Sequence, residues 1–271
     1  MLAVTLLLFS WAVPTVAYFP SLHDPRIFKI FGGSAAHDEQ FPFMASLLYS
    51  KKVGASSMCG GTLLSTRFVL TAAHCVVDFR TGKVMVDSTT LGGGQWSSVR
   101  RIVVHPRYSG SPDFYNDIAI IEIDPVQLND QVKAIRIVKD DSELLRSQKA
   151  TVIGFGTYKV TEGKEIVSSY LRHTNVRLFS ASECRQKNGA YINESLLCAG
   201  DMGKGTGSGD SGGPLLVSTR DGLVQVGVTS HGSDDFYKMM NEQHKHPDVY
   251  VRVSKYCGWI AKTTKGEVNC E

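Results

Sequence analysis

The apolar residues of this chain come in short runs, each closed by turn formers. Thr62–Leu70, Arg101–Val104, Asp117–Ile123, Ala150–Phe155, Leu223–Thr229 and Val249–Val253 are all bounded by Gly, Pro, Ser or Asp. Runs of this length and punctuation fit strands of an antiparallel sandwich or barrel. The 26 glycines point the same way, away from a helical bundle. Between Pro125 and Ser147 the pattern turns polar and charged, which reads as the connection between two halves. Near the end, Ser254 reads as an N-cap before Tyr256, Trp259 and Ile260 at helical spacing, with Gly266 as the stop. The residues alone therefore predict an all-β body with a terminal helix. At 271 residues and 42% hydrophobic content, the core suffices for one large domain or two small ones. The formal net charge is only +3 and no basic block stands out, so neither nucleic acid nor a membrane surface is expected as a partner.

Residues Leu2 to Val13 are apolar but too short to span a bilayer comfortably, and Thr15-Val16-Ala17 follows. Small residues at Thr15 and Ala17 suit signal-peptidase cleavage after Ala17, so residues 1–17 are expected to be a signal peptide and the protein to be secreted. The n-region carries no Lys or Arg, and an uncleaved anchor is the alternative. No later segment is long or apolar enough to cross a membrane. In an oxidising compartment the six cysteines are expected to pair, although six allow fifteen connectivities. None stands in a C-x-x-C spacing, so neither a zinc site nor a redox motif is expected. Asn193-Glu194-Ser195 is a glycosylation sequon, usable where it is exposed.

Ser211 has glycine on both sides, in Gly209-Asp210-Ser211-Gly212-Gly213-Pro214. A nucleophilic serine needs a turn that projects its hydroxyl and lets N–H donors face a developing oxyanion, and glycines permit such a turn. The shorter G-x-S-x-G pattern also matches a nucleophile elbow, but that reading requires a helix straight after the serine. Gly212-Gly213-Pro214 is a poor helix start. The serine also needs a general base, and the base an orienting acid. His74 ends an apolar strand in Thr71-Ala72-Ala73-His74-Cys75, and Asp117 opens the alternating run Asp117-Ile118-Ala119-Ile120-Ile121. Alone, a histidine of this kind is usually structural and such an aspartate a solvated turn residue.

These three segments resemble the trypsin/chymotrypsin-like serine peptidases. T-A-A-H-C, N-D-I-A and G-D-S-G-G-P stand in that family's order, and the resemblance runs from Ile30 to about Trp259. It implies two antiparallel six-stranded β-barrels with a C-terminal helix. The peptidase domain would cover residues 30–271, with the first barrel at about 30–135, the second at about 146–254, and helix and tail at 255–271. It also implies a catalytic triad of His74, Asp117 and Ser211, an oxyanion hole from the Gly209 and Ser211 N–H groups, and Ser230 bonded to Asp117. Protein or peptide substrates, an activating protease and protein inhibitors are the implied partners, with no cofactor. The other reading of such a chain is a non-catalytic relative that keeps the fold as a binding or regulatory module.

Lys29-Ile30-Phe31-Gly32-Gly33 resembles the family's activation site, which makes residues 18–29 a propeptide and implies that a freed Ile30 amino group pairs with Asp210. Phe31 stands where Val is usual. The resemblance pairs Cys59 with Cys75 and Cys184 with Cys198, leaving Cys257 with Cys270. A continuous helix over residues 257–270 would hold that last pair about 20 Å apart, so the chain is expected to fold back near Lys265-Gly266. Gly207 stands where many relatives carry a pocket cysteine, so either a looser rim or compensation by the loop Ser233–His246 is expected. Around the implied substrate pocket lie Gly205, Thr206, Ser230, His231, Gly232 and Asp248. Trypsin-like members carry Asp where this chain has Gly205, whereas Asp248 replaces a wall glycine. Asp248 then either favours basic side chains in a wider pocket, or pairs locally and leaves the pocket to large apolar groups. His231 replaces a tryptophan beside the substrate backbone. The stretch Asp87 to Arg100 has one carboxylate, so calcium is not expected, and His244-x-His246 reads as loop rather than a metal site.

Overall fold

The computed structural model describes residues 30–271. The expected signal peptide, the propeptide and Lys29 lie outside the described residues. The first half contains strands β1 (Ser34–Ala35), β2 (Met44–Lys51), β3 (Ser56–Leu63), β4 (Phe68–Thr71), β5 (Phe79–Val86), β6 (Gln95–Val104) and β7 (Ala119–Ile123). Of these, β2, β3, β4, β7, β6 and β5 close into an antiparallel barrel in that order. The predicted Thr62–Leu70 run is two strands, because Ser65-Thr66-Arg67 turns the chain so that Leu63 lies opposite Val69.

The second half contains β8 (Lys149–Gly154), β9 (Thr157–Thr161), β10 (Lys164–Val167), β11 (Arg172–Leu178), β12 (Leu196–Gly200), β13 (Pro214–Thr219), β14 (Gly222–His231) and β15 (Asp248–Arg252). The order β8, β11, β12, β15, β14, β13 returns to β8, closing a second six-stranded antiparallel barrel. Strands β9 and β10 form a separate hairpin. Burial alternates strictly along β11 wherever its side chains switch between barrel interior and outside. Residues 124–148 connect the barrels with one short helix, α2 (Ser142–Arg146), and α3 (Ala181–Asn188) lies between β11 and β12.

The start of the described segment departs from the expected division. β1 pairs with β11, and Ile30 packs into the second barrel's cluster with Val152, Leu215, Val226 and Tyr250. The opening residues of the segment assigned to the first barrel thus lie on the second. A larger cluster runs from Leu47, Leu70 and Ile120 in the first barrel to Ile153, Leu216 and Val228 in the second. Each fully buried Leu or Ile in it contributes roughly 1.5–3 kcal/mol of transfer free energy.

The C-terminal helix also differs in detail. A 3-10 turn over Val253–Tyr256 precedes α5 (Cys257–Thr263), so Ser254 is not the N-cap; its hydroxyl donates to Asp141 at 3.0 Å. Lys265 and Gly266 take positive φ and fold the chain back, bringing the Cys257 and Cys270 Cα atoms to 5.6 Å in a disulfide. The other disulfides are Cys59–Cys75 and Cys184–Cys198. Among the described residues no helix is long and apolar enough to cross a membrane.

Candidate active site

The barrels meet where two glycines touch. A Cβ on Gly60 of β3 would lie 2.8 Å from the Gly213 Cα, and the Gly60 N–H donates to the Ser211 carbonyl at 2.7 Å. This close approach presses the Ser211 turn of the second barrel against the first. Gly212 continues the turn with φ +80°, and a side chain there would collide with the Thr71 hydroxyl. Its N–H donates to Thr229 at 2.8 Å, tying the turn to β14.

Opposite that turn stands His74, on the one-turn helix α1 (Ala73–Val76) that follows β4. Asp117, immediately ahead of β7, is fully buried and holds the histidine at two points. Its Oδ1 accepts the His74 backbone N–H at 2.9 Å, and its Oδ2 accepts the ring Nδ1 at 2.7 Å. The Ser230 hydroxyl donates to the same Oδ2 at 2.6 Å. Burial pushes the Asp117 carboxyl up, but these hydrogen bonds and the His74 charge outweigh it and leave the group below its ordinary value. With Nδ1 turned toward the carboxylate, Nε2 is the ring nitrogen left on the far edge.

The structure brings Ser211 beside this pair without closing the last link, since the Ser211 hydroxyl bonds to no side chain among the described residues. Gly209 takes φ +94°, and among the described residues no backbone carbonyl accepts its N–H or that of Ser211. Between them Asp210 turns inward. Its carboxylate accepts Gly156 N–H at 2.7 Å and Gly207 N–H at 2.9 Å. Burial, despite those bonds and with the Asp248 charge adding to it, lifts the Asp210 carboxyl to about 7. Ile30 is fully buried, and no ion pair joins it to Asp210 among the described residues; in the intact chain its nitrogen is a peptide amide.

A cavity of about 520 Å³ opens beside Ser211, lined by Thr206, Gly207, His231, Met239 and Asp248 among others. Asp248 opens β15 and is fully buried, and burial raises its carboxyl to about 6. Its Oδ2 accepts the Thr206 N–H and hydroxyl, both at 2.8 Å, and the Gln243 amide at 3.0 Å. Its Oδ1 points at Gly232, where a side chain would collide with it. Local pairing of Asp248 therefore exists, but it engages one oxygen.

Gln243 is the site residue that sequence reasoning missed. It is fully buried, donates also to the Thr206 carbonyl at 3.2 Å, and fills the space that any side chain on Gly205 would need. A glutamine in a polar loop carries no periodicity to mark it. It lies in the Ser233–His246 loop, which forms α4 (Phe236–Asn241) and is pinned by Lys187 donating to the His244 carbonyl at 2.9 Å. The loop thus braces the pocket that lacks a cysteine at Gly207.

His231 lies half-buried between two aromatic rings: Phe114, stacked at 5.0 Å, and Tyr191, tilted at 5.9 Å. Asn193 is half-buried, its Oδ1 accepting from the Ser195 N–H and hydroxyl at 2.8 and 2.6 Å. Among the described residues the one close His/Cys group is Cys59, His74 and Cys75, and the disulfide occupies both thiols.

With this geometry in place, the comparisons converge. The family model described as trypsin matches residues 30–260. Trypsin CFT-1 of Choristoneura fumiferana is 32% identical over 95% of this chain and 98% of its own length. Kallikrein-8 of Mus musculus is 32% identical over 87% of this chain and 86% of its own length. The solved structure of neuropsin, a serine protease of mouse brain, superposes with a TM-score of 0.72 at 31% identity, covering 86% of this chain and 98% of its own.

Proposed function

The chain belongs to the trypsin family of serine peptidases and is a serine endopeptidase acting on protein or peptide substrates, and we propose that His74, Asp117 and Ser211 carry its chemistry. The observation that carries this assignment is the His74–Asp117 pair, held at ring and backbone and set beside the Ser211 turn. In this reading the Ser211 Oγ attacks the scissile carbonyl carbon while His74 Nε2 takes its proton. The N–H groups of Gly209 and Ser211 receive the oxyanion of the tetrahedral intermediate. As the C–N bond breaks, His74 returns the proton to the leaving amine, and an acyl-enzyme remains. Water then attacks the ester with His74 again as base, restoring the Ser211 hydroxyl. Asp117 stays ionised throughout and stabilises the imidazolium.

We further propose that the protein is secreted as a zymogen with peptidase domain 30–271, and that an activating protease cleaves after Lys29. The freed Ile30 ammonium would then meet the Asp210 carboxylate, whose burial without a cation is what raises it to about 7. A buried charge left without its partner is costly, so the pair acts as a switch for the Gly209–Ser211 turn. Protein inhibitors would occupy the same cleft as substrates. Asp248 would give partial preference for Lys and Arg side chains, because its Oδ1 is left for a ligand while Oδ2 is held locally. Ser230, His231 and Gly232 would line the path of the substrate backbone, with Gly205 and Thr206 at the pocket floor.

A fluorescent organophosphonate tests the core of this proposal. The cleaved protein should be labelled covalently at Ser211 and lose peptidase activity in parallel, and Ser211→Ala should be neither labelled nor active. Full activity in Ser211→Ala would overturn the assignment.

A further inference from the structure

We infer that His231, together with Tyr191, is a positioning residue of the catalytic centre, sending a one-way chain of hydrogen bonds through Ser230 onto Asp117. The inference rests on the proposed roles of His74, Asp117 and Ser211. The links run from the Tyr191 hydroxyl to His231 Nε2 at 3.0 Å, from His231 Nδ1 to Ser230 Oγ at 3.1 Å, and from Ser230 Oγ to Asp117 Oδ2 at 2.6 Å.

The direction of the chain follows from proton counting. Asp117 is ionised and can only accept, so the single Ser230 proton points at it. Ser230 must then accept from His231, which places the imidazole proton on Nδ1. His231 Nε2 is left with a lone pair, and the Tyr191 hydroxyl donates to it. One tautomer of His231 satisfies all three links. Stacking on Phe114, with the tilted Tyr191 ring on its other side, holds the ring in the plane these bonds require. A phenylalanine at this position would fill the slot and leave the Ser230 lone pair without a ring donor.

The consequence reaches His74 through a shared oxygen. Asp117 Oδ2 accepts both Ser230 and the His74 ring, so a stronger Ser230 donor draws charge away from the bond that stabilises protonated His74. The groups facing His231 are Phe114 from the loop before β7, Tyr191 from the segment before β12, and Ser230 on its own strand. Asp117 and His74 lie beyond Ser230, and Asp234 follows on the next loop. Burial, the leading influence on His231, lowers its proton affinity, which keeps the ring in the neutral form that the chain needs. A second proton on His231 would reverse the Tyr191 link, the hydroxyl then accepting from Nε2–H, and would place a positive charge one hydroxyl away from the His74–Asp117 pair.

The test is the acid limb of the kcat/KM–pH profile, measured on cleaved protein with one peptide substrate. His231→Phe retains the aromatic stack and removes both nitrogens; the acid limb should move up by about half a pH unit, a roughly threefold gain in proton affinity at the general base. Tyr191→Phe removes only the terminal hydroxyl and should move the limb the same way by less, and it decides the matter alone if His231→Phe does not fold. His231→Asn places an amide N–H close to the position of Nδ1–H and should bring the limb back toward the unmodified protein, although it lacks the stack. A purely packing role would alter KM and leave the limb unmoved. An unchanged limb, a limb displaced downward, or a shift that His231→Asn does not reverse overturns the inference. Organophosphonate labelling of Ser211 separates the two levels: labelling intact with an unmoved limb removes this inference alone, whereas an unmodified protein that is active without labelling removes the catalytic reading and this inference with it.

Discussion

Replacing Asp210 with Asn should have opposite consequences before and after cleavage at Lys29. In the intact chain the buried Asp210 carboxyl titrates at about 7, against 3.8 for an ordinary aspartate. The folded state therefore holds a proton that the unfolded state releases between those values. With an acid raised on folding, its contribution is most favourable at low pH and is lost as pH rises from about 4 to about 7. The full loss corresponds to roughly 4 kcal/mol, of which about 2–3 kcal/mol falls between pH 5 and pH 8. Asn carries no charge, but its amide nitrogen must face one of the two N–H groups from Gly156 and Gly207, a mismatch costing about 1–3 kcal/mol at either pH. The intact variant should thus lose about 2–3 kcal/mol less stability than its parent between pH 5 and pH 8. Urea unfolding at both pH values, with disulfides intact and on a Ser211→Ala background to prevent self-cleavage, reads this difference directly. After cleavage the sign reverses: the Ile30 ammonium would be buried without a partner, costing about 3–5 kcal/mol and abolishing activity. Equal pH dependence in the intact parent and variant would refute the reasoning.

Three further outcomes follow from the pocket. Asp248→Asn keeps the shape of the side chain and should remove cleavage after Lys and Arg while sparing apolar sites; in the parent, cleavage after Lys and Arg should fade as pH drops through about 6 and Asp248 takes up its proton. Peptide-library profiling checks both, and an unchanged profile in the variant would reject a role for Asp248 in selectivity. Gln243→Ala removes the donor that holds Asp248 and the Thr206 carbonyl and opens a cavity behind Gly205, so the cleaved protein should lose about 2 kcal/mol in urea unfolding. A loss below a few tenths of a kcal/mol would show that the loop braces the pocket by other contacts.

Much of this molecule was legible in the residues because its chemistry lies in contiguous segments. T-A-A-H-C, N-D-I-A and G-D-S-G-G-P each bring a reactive side chain together with the backbone that presents it, and short turn-bounded runs are what an antiparallel barrel requires. The return of the chain at Lys265-Gly266 was legible too, since a helix cannot place Cys257 and Cys270 within disulfide reach. What the order of residues left open depends on atoms distant in sequence. The two-oxygen character of Asp248, one held by Thr206 and Gln243 and one pointing at Gly232, exists only where β15, the Ser233–His246 loop and the Ser211 turn converge. Ile30 and β1 crossing to the second barrel follow from sheet pairing and burial that no local pattern encodes. Likewise His231 by itself is one side chain at the end of a strand; Tyr191 and Ser230 on either side of its ring turn it into a link to Asp117. Local motifs decide which groups are reactive, because reactivity needs a particular backbone turn. Tertiary packing decides how they are tuned, because burial and hydrogen-bond direction are properties of the neighbours.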